Sequence, residues 1–379
     1  MGNDQAGTDM QPAGRLARAA EATGKAGLSA LLLTPGPDLR YVTGYNAHPT
    51  ERITCLALPA GDASPFLLVP RLELRAAGSA PAARRGLEIV TWDETDDPYA
   101  LIASRLRAGG VPGAGPIGLS DQMWAMMVLR LQQALPGAGF ELASLAMRDL
   151  RARKTPAEVA ELRAAGQAID RVHARVPGFL RAGRTELEVA ADIADAIVAE
   201  GHARVDFTIV GSGPNAASPH HEATSRVLRP GDAVVVDIGG SMASGYYSDC
   251  TRTYVIGTPP PELAAYYAVL KDAQQAACAA VRPGVSAEAV DAAAREPITA
   301  AGYGEFFLHR TGHGIGLELH EHPYITQGNA ELLRPGHAFS VEPGIYPGPH
   351  GARIEDIVVC TEDGHERLNN ASRELVAAG

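Results

Sequence analysis

Four acidic residues stand at the ends of short apolar segments in the second half of the sequence. Asp237 closes the segment AVVVD, and Asp249 follows twelve residues later within YYSDCTRT. Glu342 closes FSVE, and Glu355 follows thirteen residues later within RIEDIVV. A strand that is apolar along its whole length is buried on both faces. Each spacing therefore predicts a strand, an excursion and a returning strand that brings two carboxylates together.

Buried carboxylates repel one another, and they cannot all ionise unless a positive charge lies between them. We therefore predict that one or two divalent metal ions bind among these four acids. The alternative is that each acid is a structural residue in a salt bridge. The paired arrangement of all four favours the metal.

Histidines are dense in the same part of the chain, where four of the twelve fall within HRTGHGIGLELHEHP. His313 lies between two glycines, which we expect to let a metal ion or a substrate approach the backbone. His320 follows seven residues later and is expected to point into the same site. His220 and His221 follow a loop rich in Gly, Asn and Pro, a placement suited to proton transfer. The alternatives are hydrogen-bonded core histidines for the first pair and solvated loop residues for the second.

A weak internal repeat suggests how these residues are positioned. LRPGDAVVVDIG and LRPGHAFSVEPG share seven of twelve positions at an offset of 105, which places Asp237 opposite Glu342. Residues 181–201 and 282–302 also align, at an offset of 101. Because each half reads as helices followed by strands, we predict two similar halves whose strands face one another across a shared site. Coincidence in a chain rich in Ala, Arg and Gly is the alternative.

The first half of the chain alternates strand-like and helix-like segments, which predicts an α/β domain. Thr155-Pro156-Ala157-Glu158 combines a capping residue, a first-turn proline and an early glutamate, and so marks a helix start. We predict a flexible N-terminus over 1–14, the α/β domain over 15–152 and a second domain over 153–379. Strands are expected at 29–34, 53–58, 66–69, 88–92 and 117–119, and helices at 16–26, 99–107, 123–135, 158–179 and 186–200.

Composition excludes several classes of protein. The 379-residue chain has a formal net charge of −11, whereas nucleic-acid binders normally carry a basic face. No apolar run reaches the roughly 18–20 residues of a membrane span, and the N-terminus lacks a signal-peptide pattern. The four cysteines form no CxxC pair. We expect a soluble cytoplasmic protein without nucleic-acid or membrane partners.

Motifs of other hydrolases and of nucleotide-binding proteins are missing from the sequence. There is no HExxH zinc helix, no GxSxG nucleophile elbow and no GK[ST] phosphate loop. These observations disfavour a serine hydrolase and a phosphate-loop nucleotide enzyme.

Taken together and in order, VVVDIGG, YYSDCTRT, HRTGHGIGLELHEHP, SVEPGIY and ARIEDIVV resemble the metal-dependent pita-bread peptidases. That family includes methionine aminopeptidase, aminopeptidase P and Xaa-Pro dipeptidase, also called prolidase. The resemblance extends from about Lys154 to the C-terminus, and the first half resembles the N-terminal domain of creatinase and prolidase. It implies an α/β N-terminal domain followed by an α+β pita-bread catalytic domain with an internal pseudo-twofold repeat.

The resemblance also implies a role for each matching residue. Glu342 would accept the proton of the attacking water, and His220 and His320 would contact substrate and assist proton movement. Thr251 and Arg353 would orient the ligands. The ligand set is rich in oxygen and favours Mn²⁺ or Co²⁺, with Zn²⁺ and Fe²⁺ as alternatives. The implied ligands of two divalent metal ions are Asp237, Asp249, His313, Glu342 and Glu355.

The activity implied is hydrolysis of the bond before proline in a small peptide, by a homodimeric enzyme. We predict an Xaa-Pro dipeptidase, with aminopeptidase P as the closest alternative. One position departs from the pattern, because some prolidases carry an arginine for the dipeptide carboxylate where this chain has Tyr324. A creatinase-like C–N hydrolase, a lyase of the same fold and an inactive binding module are further alternatives. They are disfavoured because all five matching ligands are present.

Overall fold

The computed structural model describes residues 12–61, 63–111 and 115–379. Within these ranges the chain divides into a first unit that ends at Arg151 and a second unit, Ala152–Gly379. Of the predicted flexible N-terminus, residues 1–11 lie outside the described residues. The first helix begins at Pro12, so the last three residues of that segment are helical.

The first unit contains a mixed six-stranded sheet in the order β4-β3-β2-β1-β5-β6. Its first three strands are buried along their whole length, as expected for nearly continuous apolar runs. The strands are β1 (Ala30–Leu33), β2 (Cys55–Pro59), β3 (Phe66–Pro70), β4 (Glu88–Trp92), β5 (Ile117–Leu119) and β6 (Phe140–Leu142). The helices are α1 (Pro12–Lys25), α2 (Pro37–Thr43), α3 (Leu74–Gly78), α4 (Pro98–Ala108), α5 (Ala125–Ala134) and α6 (Ser144–Ala152), the last of which runs into the second unit.

The second unit is built on two sheets, and a two-stranded ribbon joins β13 to β14. The first sheet has the order β17-β9-β8-β7, and the second has the order β11-β10-β12-β15-β16. The helices are α7 (Pro156–Phe179), α8 (Glu186–Ala199), α9 (Pro261–Ala280) and α10 (Ala287–Ala300). The strands are β7 (Arg204–Ser212), β8 (Ala233–Ser241), β9 (Tyr247–Ile256), β10 (Gly312–Gly314), β11 (Glu321–Ile325), β12 (Ala338–Val341), β13 (Gly344–Ile345), β14 (Ala352–Arg353), β15 (Asp356–Cys360), β16 (His365–Arg367) and β17 (Val376–Ala378).

The sequence repeat corresponds to a structural repeat. Helices α8 and α10 have the same length and are separated by the same offset of 101 residues that aligns the two sequences. Strands β8 and β12 begin at Ala233 and Ala338, which again reproduces the offset of 105. Each half therefore places a helix, and then a strand that leads to a carboxylate, at equivalent positions.

Helices cover the sheets with apolar faces. In the first half Val172 of α7 and Ile193 of α8 belong to one buried cluster with Val236 of β8. In the second half Leu270 of α9 and Phe339 of β12 share another cluster. Helix α7 begins at the predicted place, where Thr155 and Glu158 form a reciprocal capping box. None of the helices in the described ranges combines the length and apolarity needed to cross a bilayer.

Strand register brings the acids of each half to one place. In the β8–β9 hairpin Asp237 pairs with Thr251, and Asp249 pairs with Gly239. Because side chains alternate between faces, the two aspartates lie on the same face, two residues apart along the ladder. In the second half Val341 pairs with Asp356. Glu342 and Glu355 therefore lie just beyond the paired ends of β12 and β15.

Candidate metal centre

Acidic and histidine side chains from both halves of the second unit meet in one buried group. Asp249, His313 and Glu355 each offer one ligand atom, and the three atoms lie within 4.8 Å of one another. His313 Nε2 is 3.2 Å from Glu342 Oε1 and 3.6 Å from Asp249 Oδ2. Asp237 lines the same cavity. The structure thus brings together all five residues that the sequence singled out as metal ligands.

The ring of His313 is oriented by its own backbone. Its Nδ1 lies 3.1 Å from the carbonyl oxygen of Gly314, and its backbone N–H donates to Ser340 Oγ at 3.0 Å. When His313 binds a metal ion, a proton on Nδ1 satisfies that carbonyl and leaves the lone pair of Nε2 for the ion.

The glycines beside His313 have a different purpose from the one expected. A Cβ on Gly312 would lie 1.8 Å from the carbonyl oxygen of Ser340, and a Cβ on Gly314 would lie 2.2 Å from that of His322. The expectation that these glycines open the backbone to a metal ion or substrate was wrong. They let neighbouring strands approach β10 closely, and this packing fixes the position of His313.

Arg353 and Thr251 each hold one oxygen of a site carboxylate. Arg353 Nη2 donates to Asp237 Oδ2 at 2.6 Å, and its Nε donates to Thr251 Oγ1 at 3.2 Å. Thr251 Oγ1 in turn donates to Glu355 Oε2 at 2.7 Å. The other oxygens, Asp237 Oδ1 and Glu355 Oε1, are buried and have no hydrogen-bond partner within the described residues.

Unpaired buried carboxylate oxygens are costly unless a cation or donor satisfies them. Burial raises the pKa of Asp249 well above its usual value, and repulsion from Asp237 and Glu342 raises it further. Burial and the charge of Asp249 likewise raise the pKa of Glu355. Burial also opposes ionisation of Glu342, but its hydrogen bond to His313 outweighs this effect and lowers its pKa to about 2. The acids can all be ionised only with added positive charge, so the donor set fits divalent metal ions.

The group faces a cavity of about 580 Å³. His220 lines this cavity, whereas the neighbouring His221 bonds to Glu186 at 2.9 Å. The ring of His320 lies 3.8 Å from that of His313, centroid to centroid. Burial and the nearby His313 lower the pKa of His320 to about 4. His320 is therefore neutral at pH 7 and able to donate or accept a hydrogen bond.

Sequence reasoning missed several residues of the site. His309 was noted only as one of a dense group, yet its Nε2 lies 2.8 Å from the hydroxyl of Tyr346. That hydroxyl also accepts a bond from Arg353 Nη1 at 2.8 Å. Ser340 Oγ donates to Glu342 Oε1 at 2.9 Å. A serine or tyrosine near an acid gives no periodic signal, so only its position in the fold reveals these contacts. The apolar part of the cavity wall was also missed and consists of Phe207, Ile209 and Leu319.

The arrangement combines a metal-binding acid set, uncharged histidine at neutral pH and an apolar wall in one cavity. These are the parts that metal-assisted hydrolysis of a small substrate requires.

Both parts of the chain match known families. Residues 160–362 match the model of Metallopeptidase family M24, and residues 15–153 match that of the Creatinase/Prolidase N-terminal domain. The first match contains all the site residues named above. These matches confirm the fold predicted from the sequence, an α/β N-terminal domain followed by a pita-bread catalytic domain.

Similar proteins match along almost their whole length. A probable dipeptidase PepE of Mycobacterium tuberculosis is 55% identical over 363 residues, which cover 96% of this chain and 95% of that protein. An Xaa-Pro dipeptidase of Lactobacillus helveticus is 39% identical over 344 residues, covering 89% and 91%. The crystal structure of dipeptidase PepE from Mycobacterium ulcerans has a TM-score of 0.92 and 53% identity, with 98% of each chain covered.

Proposed function

Because the chain belongs to Metallopeptidase family M24, we propose that this metallopeptidase hydrolyses Xaa-Pro dipeptides with the help of two divalent metal ions. The observation that carries the proposal is the buried acid and histidine group that opens onto the cavity. The names of two relatives, dipeptidase PepE and Xaa-Pro dipeptidase, support the substrate class.

Five side chains would hold the metal ions. Asp237 Oδ1 and Glu355 Oε1 are the clearest ligand atoms, since both are buried and unsatisfied among the described side chains. When bound, divalent ions polarise the scissile carbonyl and lower the pKa of a water molecule to near neutrality. With one imidazole and four carboxylates, the set favours Mn²⁺ or Co²⁺ over a thiolate-type zinc site. The proposed ligands are Asp237, Asp249, His313, Glu342 and Glu355.

The remaining steps fall to the protein's own groups. Glu342 accepts the proton of the attacking water. His220 and His320 line the cavity and contact the substrate, where they donate hydrogen bonds to the developing oxyanion or protonate the leaving nitrogen. Arg353 and Thr251 keep the acids in place throughout.

Substrate selection follows from the rest of the cavity wall. Phe207, Ile209 and Leu319 offer an apolar surface for the proline ring. Arg310 also lines the cavity, and its guanidinium lies 4.3 Å from the ring centre of Tyr324. Arg310 thus stacks on the residue that stands where some prolidases carry a carboxylate-binding arginine. We assign to Arg310 the positive charge that receives the carboxylate of a dipeptide.

A three-substrate comparison tests the proposal. The enzyme loaded with Mn²⁺ is assayed for kcat/KM on Ala-Pro, Ala-Pro-Ala and Ala-Ala. We expect Ala-Pro to be the best substrate of the three. Cleavage of the tripeptide alone would favour aminopeptidase P activity, and preference for Ala-Ala would contradict specificity for proline.

We further propose that the protein is a homodimer. Several large apolar side chains of the first unit are exposed, an arrangement that marks interaction surfaces when such side chains form a patch. Light scattering after size-exclusion chromatography should give twice the chain mass of 39.6 kDa. A monomer mass at micromolar concentration would contradict this assignment. These exposed side chains include Trp124, Met126, Leu129, Leu142 and Leu145.

We propose a cytoplasmic location, which the four free and buried cysteines support. Reduced thiols are typical of that compartment, whereas secreted proteins tend to pair them. Cell fractionation with an antibody against the protein tests this. Recovery in the secreted fraction would contradict the proposal.

A further inference from the structure

We infer that Glu186 is a positioning residue for His220, because it holds the loop between β7 and β8 in the one arrangement that turns His220 toward the substrate cavity. The inference rests on the proposed peptidase function, since that function gives His220 its purpose. Glu186 lies outside the cavity and is the first residue of α8.

The side chain of Glu186 is completely buried, and both of its oxygens accept hydrogen bonds from the loop. Oε1 accepts from the backbone N–H and hydroxyl of Ser212, at 2.8 and 2.6 Å, and from Asn215 Nδ2 at 3.0 Å. Oε2 accepts from the backbone N–H and hydroxyl of Thr224, at 3.0 and 2.7 Å, and from His221 Nε2 at 2.9 Å. A carboxylate has about four lone-pair positions, so these oxygens are saturated.

The bonded residues lie on both sides of His220. Ser212 ends strand β7, and Thr224 lies twelve residues farther along, so one carboxylate ties the start of the loop to a point beyond His220. A buried charge is tolerated only when it is satisfied in this way. Burial opposes ionisation of Glu186, but its bonds to Ser212, His221 and Thr224 lower its pKa to about 2. It is therefore an anion at neutral pH.

Glu186 also decides between two adjacent histidines. His221 points away from the cavity and bonds to the buried Glu186, and the adjacent His220 faces the cavity. On the cavity side, Arg353 Nη2 donates to the carbonyl oxygen of Pro219 at 3.3 Å. The loop is thus held from behind by Glu186 and from the front by a residue of the metal centre.

The second half of the unit has a comparable arrangement. Asp291 of α10 is buried and accepts bonds from the backbone N–H and hydroxyl of Thr311, at 3.2 and 2.7 Å. Arg295, paired with Asp291, donates to the carbonyl oxygen of His309 at 2.8 Å. In each half, a buried acid on the helix holds a histidine-bearing segment. This recurrence supports positioning as the purpose of Glu186.

The test compares Glu186→Gln with wild type, Glu186→Asp, His220→Ala and the double variant, using Ala-Pro as substrate. Glu188→Gln is the matched control, because Glu188 is exposed on the same helix and caps it. We expect Glu186→Gln to lower kcat about 10-fold or more, since positioned acid–base groups contribute about 10²–10⁴-fold. Bound metal per chain should be unchanged, and Glu186→Asp should recover part of the loss.

Two measurements distinguish a specific effect on the position of His220 from a general loss of structure. Glu186→Gln should have no further effect on kcat in the His220→Ala background. Hydrogen exchange should accelerate at residues 212–224 while β8 and β9 keep their protection. Thr224→Val removes one of the hydrogen bonds to Glu186, together with the bond that the hydroxyl accepts from the Arg226 N–H. It should show the same effects at smaller size, and it provides the test if Glu186→Gln does not fold.

An unchanged kcat in folded Glu186→Gln, or an equal loss with and without His220, would overturn the inference. If no variant, wild type included, cleaves an Xaa-Pro dipeptide, the proposed function fails instead. Exchange data would then still decide whether Glu186 fixes the loop, because that measurement needs no substrate.

Discussion

Two acids of the metal centre, Asp237 and Glu355, each have one oxygen that is hydrogen-bonded to the protein and one that is left for a metal ion. Arg353 fixes one oxygen of Asp237 and Thr251 fixes one of Glu355, while the second oxygen of each acid is buried without a partner in the described structure. Spacing alone predicted that these acids would meet. It did not predict which oxygen each partner holds, because that depends on contacts between residues more than 100 positions apart.

Asp249 is the residue whose removal should affect the centre most directly. Asp249→Asn removes a charge from the middle of the cluster, and we expect kcat/KM on Ala-Pro to fall by more than about 100-fold, since even residues that only orient ligands are worth about 10–100-fold. Metal analysis should show fewer bound ions. Asp272→Asn, an exposed acid on α9, is the control and should behave as wild type. Full activity of Asp249→Asn would refute its assignment as a ligand.

Glu186 should also affect stability in a pH-dependent way. Its folded-state pKa of about 2 is below the reference of 4.5, so the ionised form stabilises the fold above pH 4.5, and this contribution is lost as pH falls toward 2. Glu186→Gln should lower the free energy of unfolding by roughly 2–3 kcal/mol at pH 7. Urea unfolding of both proteins from pH 7 to 3.5 measures the difference, which should narrow below pH 4.5. A constant difference would show that the carboxylate is not the source.

At the scale of elements, strong local patterns were predicted well and weak ones were not. Strands β4 and β5 and the capped start of α7 lie where the sequence indicates. Helix α2 was not predicted, because seven residues are too few to show a helical period. Strand β6 was missed because it is not buried as the equally short β5 is, and its FEL sequence has no apolar run. The glycines beside His313 show the same limit, since their purpose depends on two later strands, at Ser340 for Gly312 and at His322 for Gly314.

Arg252 links several elements behind the centre. Its side chain is buried and donates to Asp356 Oδ1 at 2.8 Å, to the carbonyl oxygen of Glu355 at 2.6 Å and to that of Ala371 at 2.8 Å. Arg252→Met leaves the buried Asp356 with less compensation, so we expect a loss of about 3–5 kcal/mol in the free energy of unfolding.

The matched control for Arg252 is Lys271→Met. Lys271 pairs with the exposed Glu374 at 3.0 Å, and loss of such a pair should cost less than about 1 kcal/mol. Urea denaturation monitored by circular dichroism measures both. Equal effects of the two substitutions would contradict the distinction between the buried and the exposed pair.

At the scale of the whole molecule, the order of motifs was more informative than composition. The net charge of −11 only argued against a nucleic-acid partner. Five motifs in order, and an internal repeat, predicted the catalytic fold that the comparisons confirm. Residue spacing did not predict the preferred length of the peptide substrate, the preferred metal or the oligomeric state. Each of these depends on cavity shape or on surfaces that leave no periodic pattern in one sequence.

The proposed hydrolysis depends on two divalent ions bound by the five ligands. Its most direct test is to strip the protein with a chelator, titrate it with Mn²⁺, and follow Ala-Pro hydrolysis together with bound metal per chain. We predict no hydrolysis by the stripped protein, and activity that rises to a plateau at two ions per chain. Hydrolysis at the full rate without bound metal, or a plateau at a single ion, would contradict the account.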